Sequence, residues 1–206
     1  MTTDSASDTE TPKTEPEKQR GIGATLWSWT KQIALFVAVY LIITTFLARA
    51  YVVPTESMEP TIHGSPNQLE ADRLFVEKVS RHFTTFEVGD IVVFDPPPEQ
   101  DTDIPFVKRI VGGPGDHLRL HGGVLYVNGE PEEHLKELGL LYTPGGYDTR
   151  YNLSAGVEVP EDCYFLMGDN TNNSRDSRVF GPVKADSIIG KVIFRIWPPS
   201  RVGTVD

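Results

Sequence analysis

The sequence predicts a mainly β domain preceded by one transmembrane helix, and three observations predict it. The run from Gln32 to Ala48, "QIALFVAVYLIITTFLA", carries no charge. Beyond it the apolar residues come in short clusters rich in Val, Ile, Phe and Tyr, separated by Gly, Pro, Asp and Asn. A length of 206 residues suits one domain of moderate size with appendages.

Taken in order, residues 1–25 read as a polar tail. The first 20 contain no aromatic residue and one aliphatic side chain beyond Met1, too little to offset the entropy of ordering. Residues 26–51 read as the helix. With "YVV" beyond Arg49 the apolar stretch reaches roughly the 20 residues that a bilayer core demands. Apolar residues fill every face, which speaks against the core helix of a soluble domain. A cleaved signal peptide is the sharper rival, because Lys31 precedes the run and "ARA" at 48–50 offers small residues to a processing enzyme. Lys18, Arg20 and Lys31 lie before the helix, and only Arg49 lies close after it, which favours a cytoplasmic N-terminus.

Residues 52–206 read as an extracytoplasmic β-domain. The strand candidates are "RLFVEKV", "DIVVFDP", "FVKRIVG", "HLRLHGGVLYVNGE", "DCYFLMGD" and "GKVIFRIWP". Two runs split by "HGG", followed by Asn128-Gly129, predict a local hairpin and a tight turn. "EPEEHLKELG", 130–139, predicts one short helix, and about 130–161 reads as a loop-rich excursion from the sheet.

With 19 basic against 29 acidic residues, the net charge of −10 argues against nucleic-acid binding. Cys163, the single cysteine, can form no intramolecular disulfide and reads as a small buried residue. The five histidines show neither HExxH nor Cys/His metal spacing, so no metal is expected and a serine nucleophile would need another base. A lysine can serve if desolvation brings its pKa down from about 10.4. Strand alternation puts Phe106 and Ile110 on the face of Lys108, apolar enough to strip water from its amine. The competing reading is an edge-strand lysine with its head in solvent. Ser57, in "PTESMEPTI", is by itself only a turn residue between prolines.

Four stretches in order change the balance: "PTESMEPTI" just past the membrane segment, "VGDIVVF", "FVKRIVGGPGD" and "MGDNTNNSRDSRVFGPV". This series resembles that of the type I signal peptidases over about residues 30–200, without the 130–161 excursion. The resemblance implies a signal-peptidase-like β-fold of short antiparallel strands and coiled sheets. It implies a membrane-anchored endopeptidase that cleaves signal peptides by a Ser–Lys dyad, without metal or organic cofactor. By resemblance Ser57 is the nucleophile and Lys108 the general base. Thr55 and the Ser57 backbone N–H form the oxyanion hole, and Ser174 orients the lysine. Arg109, Asp169, Asp176 and Arg178 are supporting ion pairs, and Met58, Ile62, Phe106 and Val107 line shallow pockets for small substrate residues.

Three positions depart from the family pattern: Thr171 where Arg commonly follows "GDN", Glu56 where Gly often precedes the serine, and Phe106 where Tyr is frequent. The implied partners are signal-peptide-bearing preproteins and the lipid bilayer, and the implied location is a bacterial inner membrane, crossed once. Two other readings remain at this point: a different Ser–Lys protease of related fold, and a catalytically silent β-domain that binds exported proteins.

Overall fold

The computed structural model of the protein describes residues 22–143 and 149–205. The chain divides into two compact units, 1–40 and 41–206. Most of the expected tail, 1–21, lies outside the described residues.

Helix α1, Ile22–Ile42, leaves its large apolar side chains from Leu26 onward exposed, Phe36 at 74%. By length and composition Leu26–Leu47 is a candidate membrane span of 22 residues, roughly 33 Å of helix against a hydrocarbon core of about 30 Å. A π-helical turn, Ile43–Leu47, ends the helical stretch. Lys78 Nζ donates to the carbonyls of Thr44 and Thr45 there, as a cation at a helix C-terminus should.

Strand β1, Ala48–Val52, follows at once, which corrects the expectation of a helix to residue 51. "ARAYV" suits either conformation. Pairing from Ala48↔Glu77 to Val52↔Arg73 decides for strand, because β2, Arg73–Glu77, accepts its backbone hydrogen bonds. Extended structure therefore begins at Ala48.

The remaining strands are β3 Ile91–Phe94, β4 Phe106–Gly112, β5 His117–His121, β6 Val124–Val127, β7 Glu130–Pro131, β8 Val157–Glu158, β9 Cys163–Met167, β10 Val183–Lys184, β11 Ile188–Trp197 and β12 Gly203–Thr204. Two short helices join them, α2 Glu133–Glu137 and α3 Ser177–Phe180. One sheet runs β1-β2-β11-β3-β4-β9-β10, with β12 also on β11; a smaller sheet runs β7-β6-β5-β8. Their pairings are antiparallel.

The expected hairpin is β5–β6, and Asn128-Gly129 joins β6 to β7 with φ of 55° and 90°. Positive φ at both central residues is what a two-residue turn between twisted strands needs.

Alternation along β3 and β9 sends side chains into separate clusters. Ile91 and Val93 join Val53, Met58, Ile62 and Leu74, whereas Val92 and Phe94 join Ile110, Tyr164 and Leu166. Cys163, Phe165 and Met167 face a third cluster. With both faces covered, "IVVF" reads as a continuous apolar run.

The 130–161 stretch is less of an excursion than its composition implies. Leu135, Leu140, Tyr142, Leu153 and Val159 are buried in the cluster beneath the small sheet, and β7 and β8 are its edges. Residues 144–148 of this stretch lie outside the described residues.

Candidate active site

Ser57 sits in a single 3₁₀ turn, Glu56–Met58, leaving β1. Pro54 and Pro60 restrict φ on either side. The turn is anchored from below: Met58 and Ile62 are fully buried in the core, and Ile62 N donates to Met58 O at 2.9 Å. These two side chains therefore do not line the cleft, contrary to expectation. The turn points Met58 inward, opposite the exposed side of Glu56.

Lys108 lies on β4, between β3 and β9, so it is not an edge residue. Its side chain shares a face with Phe106, whose ring centre is 5.6 Å from Nζ. The amine is 2.6 Å from Ser57 Oγ and donates to Val107 O at 2.9 Å. The residue is 4% exposed, and this burial pulls its pKa down from 10.5 to about 8. Asp176 and Asp169 pull the other way, and the Arg178 cation adds to the lowering. Desolvation wins because an ammonium in an apolar wall loses more hydration than two already-paired carboxylates return.

Thr55 Oγ1 lies 3.4 Å from Ser57 Oγ. Ser174 makes no hydrogen bond to the lysine: its Oγ is buried and has no hydrogen-bond partner among the described residues. Gly168 separates it from Ser57; a Cβ there would come within 2.2 Å of Ser174 Oγ and 2.4 Å of Ser57 O.

Two buried, two-pronged ion pairs frame the site. Arg109 donates through Nε and Nη2 to Asp169 at 2.9 and 2.8 Å, and through Nη1 to Gly89 O. Arg178 donates through Nε and Nη2 to Asp176 at 2.8 and 2.7 Å, and through Nη1 to Thr143 O. Each carboxylate then passes the constraint on. Asp169 accepts from Thr61 Oγ1 at 2.5 Å, which ties it to the segment after the serine, and Asp176 accepts from Gly168 N at 3.1 Å. Thr171, where the family pattern has Arg, is buried and donates to Leu141 O.

Asn170 was not singled out from the sequence. Its backbone N–H donates to Ser57 O at 3.1 Å and its side chain to Glu56 O at 3.0 Å, so it grips the serine turn from the opposite loop. The only signal was its place in "MGDN". A polar residue contacting backbone carbonyls more than 100 positions away leaves no local pattern.

The pair opens into a cleft of about 480 Å³. Phe106 and Val107 line it, joined by Val53, Pro54, Ile104 and Pro105, with Glu56, Asn173 and Arg175 among its polar lining. An apolar trough beside a hydroxyl and a partly deprotonated amine can hold an extended peptide and deliver an alkoxide to one carbonyl.

Residues 26–197 match the family described as "Signal peptidase, peptidase S26". The chain is 36% identical over 208 residues to signal peptidase I of Leptolyngbya laminosa, covering 97% of this chain and 95% of the relative. It is 39% identical over 188 residues to the probable signal peptidase I-1 of a Synechocystis species, covering 86% and 87%. Signal peptidase I P of Bacillus subtilis subsp. natto is 33% identical over 192 residues, covering 90% and 97%. With a match across most of its length and relatives this similar end to end, the chain belongs to the signal peptidase family, peptidase S26.

Proposed function

We propose that this serine peptidase, anchored by its N-terminal helix, removes signal peptides from exported preproteins with Ser57 as nucleophile and Lys108 as general base. The observation that carries the reading is the 2.6 Å contact between Ser57 Oγ and an amine whose pKa lies near 8.

Neutral Lys108 takes the Ser57 proton as Oγ bonds to the scissile carbonyl carbon. The carbonyl oxygen becomes an oxyanion, stabilised by the Ser57 backbone N–H and the Thr55 hydroxyl. As the C–N bond breaks, Lys108 returns the proton to the leaving amine, and an acyl-enzyme remains. Water then attacks the ester, Lys108 takes its proton, and collapse returns that proton to Ser57 Oγ. Lysine here fills the place of histidine in the triad logic. While Ser57 is acylated the amine loses that partner, and we assign the buried hydroxyl of Ser174 to orient it then. Arg109–Asp169 and Arg178–Asp176 act as supports that hold the loops.

Phe106 and Val107 are assigned to shallow apolar pockets that accept small residues before the cut. The proposed location is a bacterial inner membrane, crossed once, with the N-terminus cytoplasmic on the strength of Lys18, Arg20 and Lys31. An enzyme carrying its own membrane anchor suits a substrate whose own apolar segment lies in the bilayer.

The test is processing of a preprotein by the purified, detergent-solubilised chain. Ser57→Ala and Lys108→Arg are expected to abolish cleavage while the chain stays folded, since guanidinium cannot release its proton near neutral pH. The double variant should lose little more, because the two act as a unit. Turnover by Lys108→Arg would remove the lysine-base mechanism. A silent binding domain would show no processing in the wild type.

A further inference from the structure

Three arginines lie within or against the site, and they are used differently. Arg109 and Arg178 are buried and spend their donors on Asp169 and Asp176. Arg175, between Ser174 and Asp176, is exposed and lines the same cleft as Ser57 and Lys108. Its Nε donates to Gln100 Oε1 at 2.5 Å. Among the described residues it takes part in no ion pair, and its two terminal nitrogens have no hydrogen-bond partner. Glu56, the single acidic residue of the lining, does not pair with it.

A bond through Nε sets the plane of a guanidinium and leaves its outer edge, two parallel N–H groups, for a second partner. That edge matches a carboxylate in a two-pronged geometry. The neighbouring wall, Ile104, Pro105 and Phe106, is apolar, so a peptide lying in the cleft would displace water around the cation and strengthen its attraction for an anion. The Gln100 link already holds the long side chain, which lowers the ordering entropy that usually cancels an exposed ion pair.

We propose that Arg175, held by Gln100, is a carboxylate-binding subsite of the cleft, which favours substrates carrying an acidic side chain within a few residues of the scissile bond. This rests on the reading that the peptide occupies the cleft beside Ser57. It adds charge recognition to the recognition of small side chains by the apolar wall.

The experiment uses the full chain in detergent and one preprotein with Glu, and in matched series Gln and Lys, placed singly at each position from four before to four after the cut. The readout is the Glu/Gln ratio of kcat/KM within each enzyme, so an overall change of rate cancels. In the wild type one position should favour Glu by roughly 5-fold, the size of a modestly desolvated pair, and the preference should shrink with added salt. In Arg175→Ala that ratio should fall to about 1, Arg175→Lys should retain part of it, and Arg175→Glu should favour Lys over Gln at the same position. Wild-type ratios of 1 at every position, or a preference that survives Arg175→Ala, would overturn the proposal. Ser57→Ala in parallel keeps the two readings apart: processing by that variant removes the nucleophile assignment, whereas flat ratios with an inactive Ser57→Ala remove only the Arg175 subsite.

Discussion

Lys108 is kept from water by Phe106 and the flanking strands, and among the described residues its amine hydrogen-bonds to Ser57 Oγ and Val107 O. The residue whose chemistry is proposed to drive the reaction is thereby a liability to the fold. Its folded pKa of about 8 lies below the ordinary 10.5, so the native state binds the proton more weakly than the unfolded chain does. The penalty is fully present below about pH 8 and fades as pH rises toward 10.5, on the order of 3 kcal/mol at most. Lys108→Met should therefore be more stable than the wild type at pH 7, with the gap in Tm closing between pH 8 and 10. The same shift sets the reaction: kcat/KM should climb with pH through about 8 on its acidic limb, as the neutral base becomes available. A limb near 6 would point to another base. Thr55 carries a second prediction. With its hydroxyl 3.4 Å from Ser57 Oγ, Thr55→Ser should stay active, and Thr55→Val should lower kcat by roughly 10²–10³ with little change in KM. Near-normal kcat with a lowered Tm would reduce Thr55 to a turn residue.

The serine turn and the loop after β9 form one unit at the scale of elements. Asn170 holds the carbonyls of Glu56 and Ser57, Asp169 holds Thr61, and Gly168 lets the two backbones approach. Gly168→Ala would drive a Cβ to within 2.4 Å of Ser57 O and 2.2 Å of Ser174 Oγ. Backbone cannot yield there as a flexible side chain could. We expect activity to fall at least 100-fold with a more modest loss of stability, because a displacement near 1 Å at a nucleophile costs about that much. An active Gly168→Ala variant would show that this close approach does not position Ser57. β4 links the unit to the sheet: adjacent residues on opposite faces, Lys108 and Arg109, serve the proposed base and the buried support of Asp169. A one-residue slip of this strand would exchange them.

For the whole molecule the testable property is which side of the membrane each end of the chain occupies. The proposed topology predicts that protease added from outside the cytoplasm digests the β-domain of the full chain in sealed vesicles. N-terminal sequencing that began at Tyr51 would instead mark the apolar run as a removed leader. The sequence by itself determined the elements whose cause is local. The charge-free run predicts the candidate span, short clusters rich in Val, Ile, Phe and Tyr between turn residues predict β3, β4, β9 and β11, and Asn128-Gly129 predicts its turn, since each depends on neighbours a few positions away. It also placed Phe106 on the face of Lys108, because strand geometry alone does so. Only the tertiary structure decided the rest. β1 became a strand by pairing with β2, the 130–161 stretch acquired buried leucines by covering the small sheet, and Met58 and Ile62 were claimed by the core. The 2.6 Å approach of Ser57 to Lys108, Asn170's hold on the turn and the uncommitted edge of Arg175 join residues 51, 114 and 75 positions apart. Contacts at such separations are set by how sheets and loops pack, and no local periodicity records them.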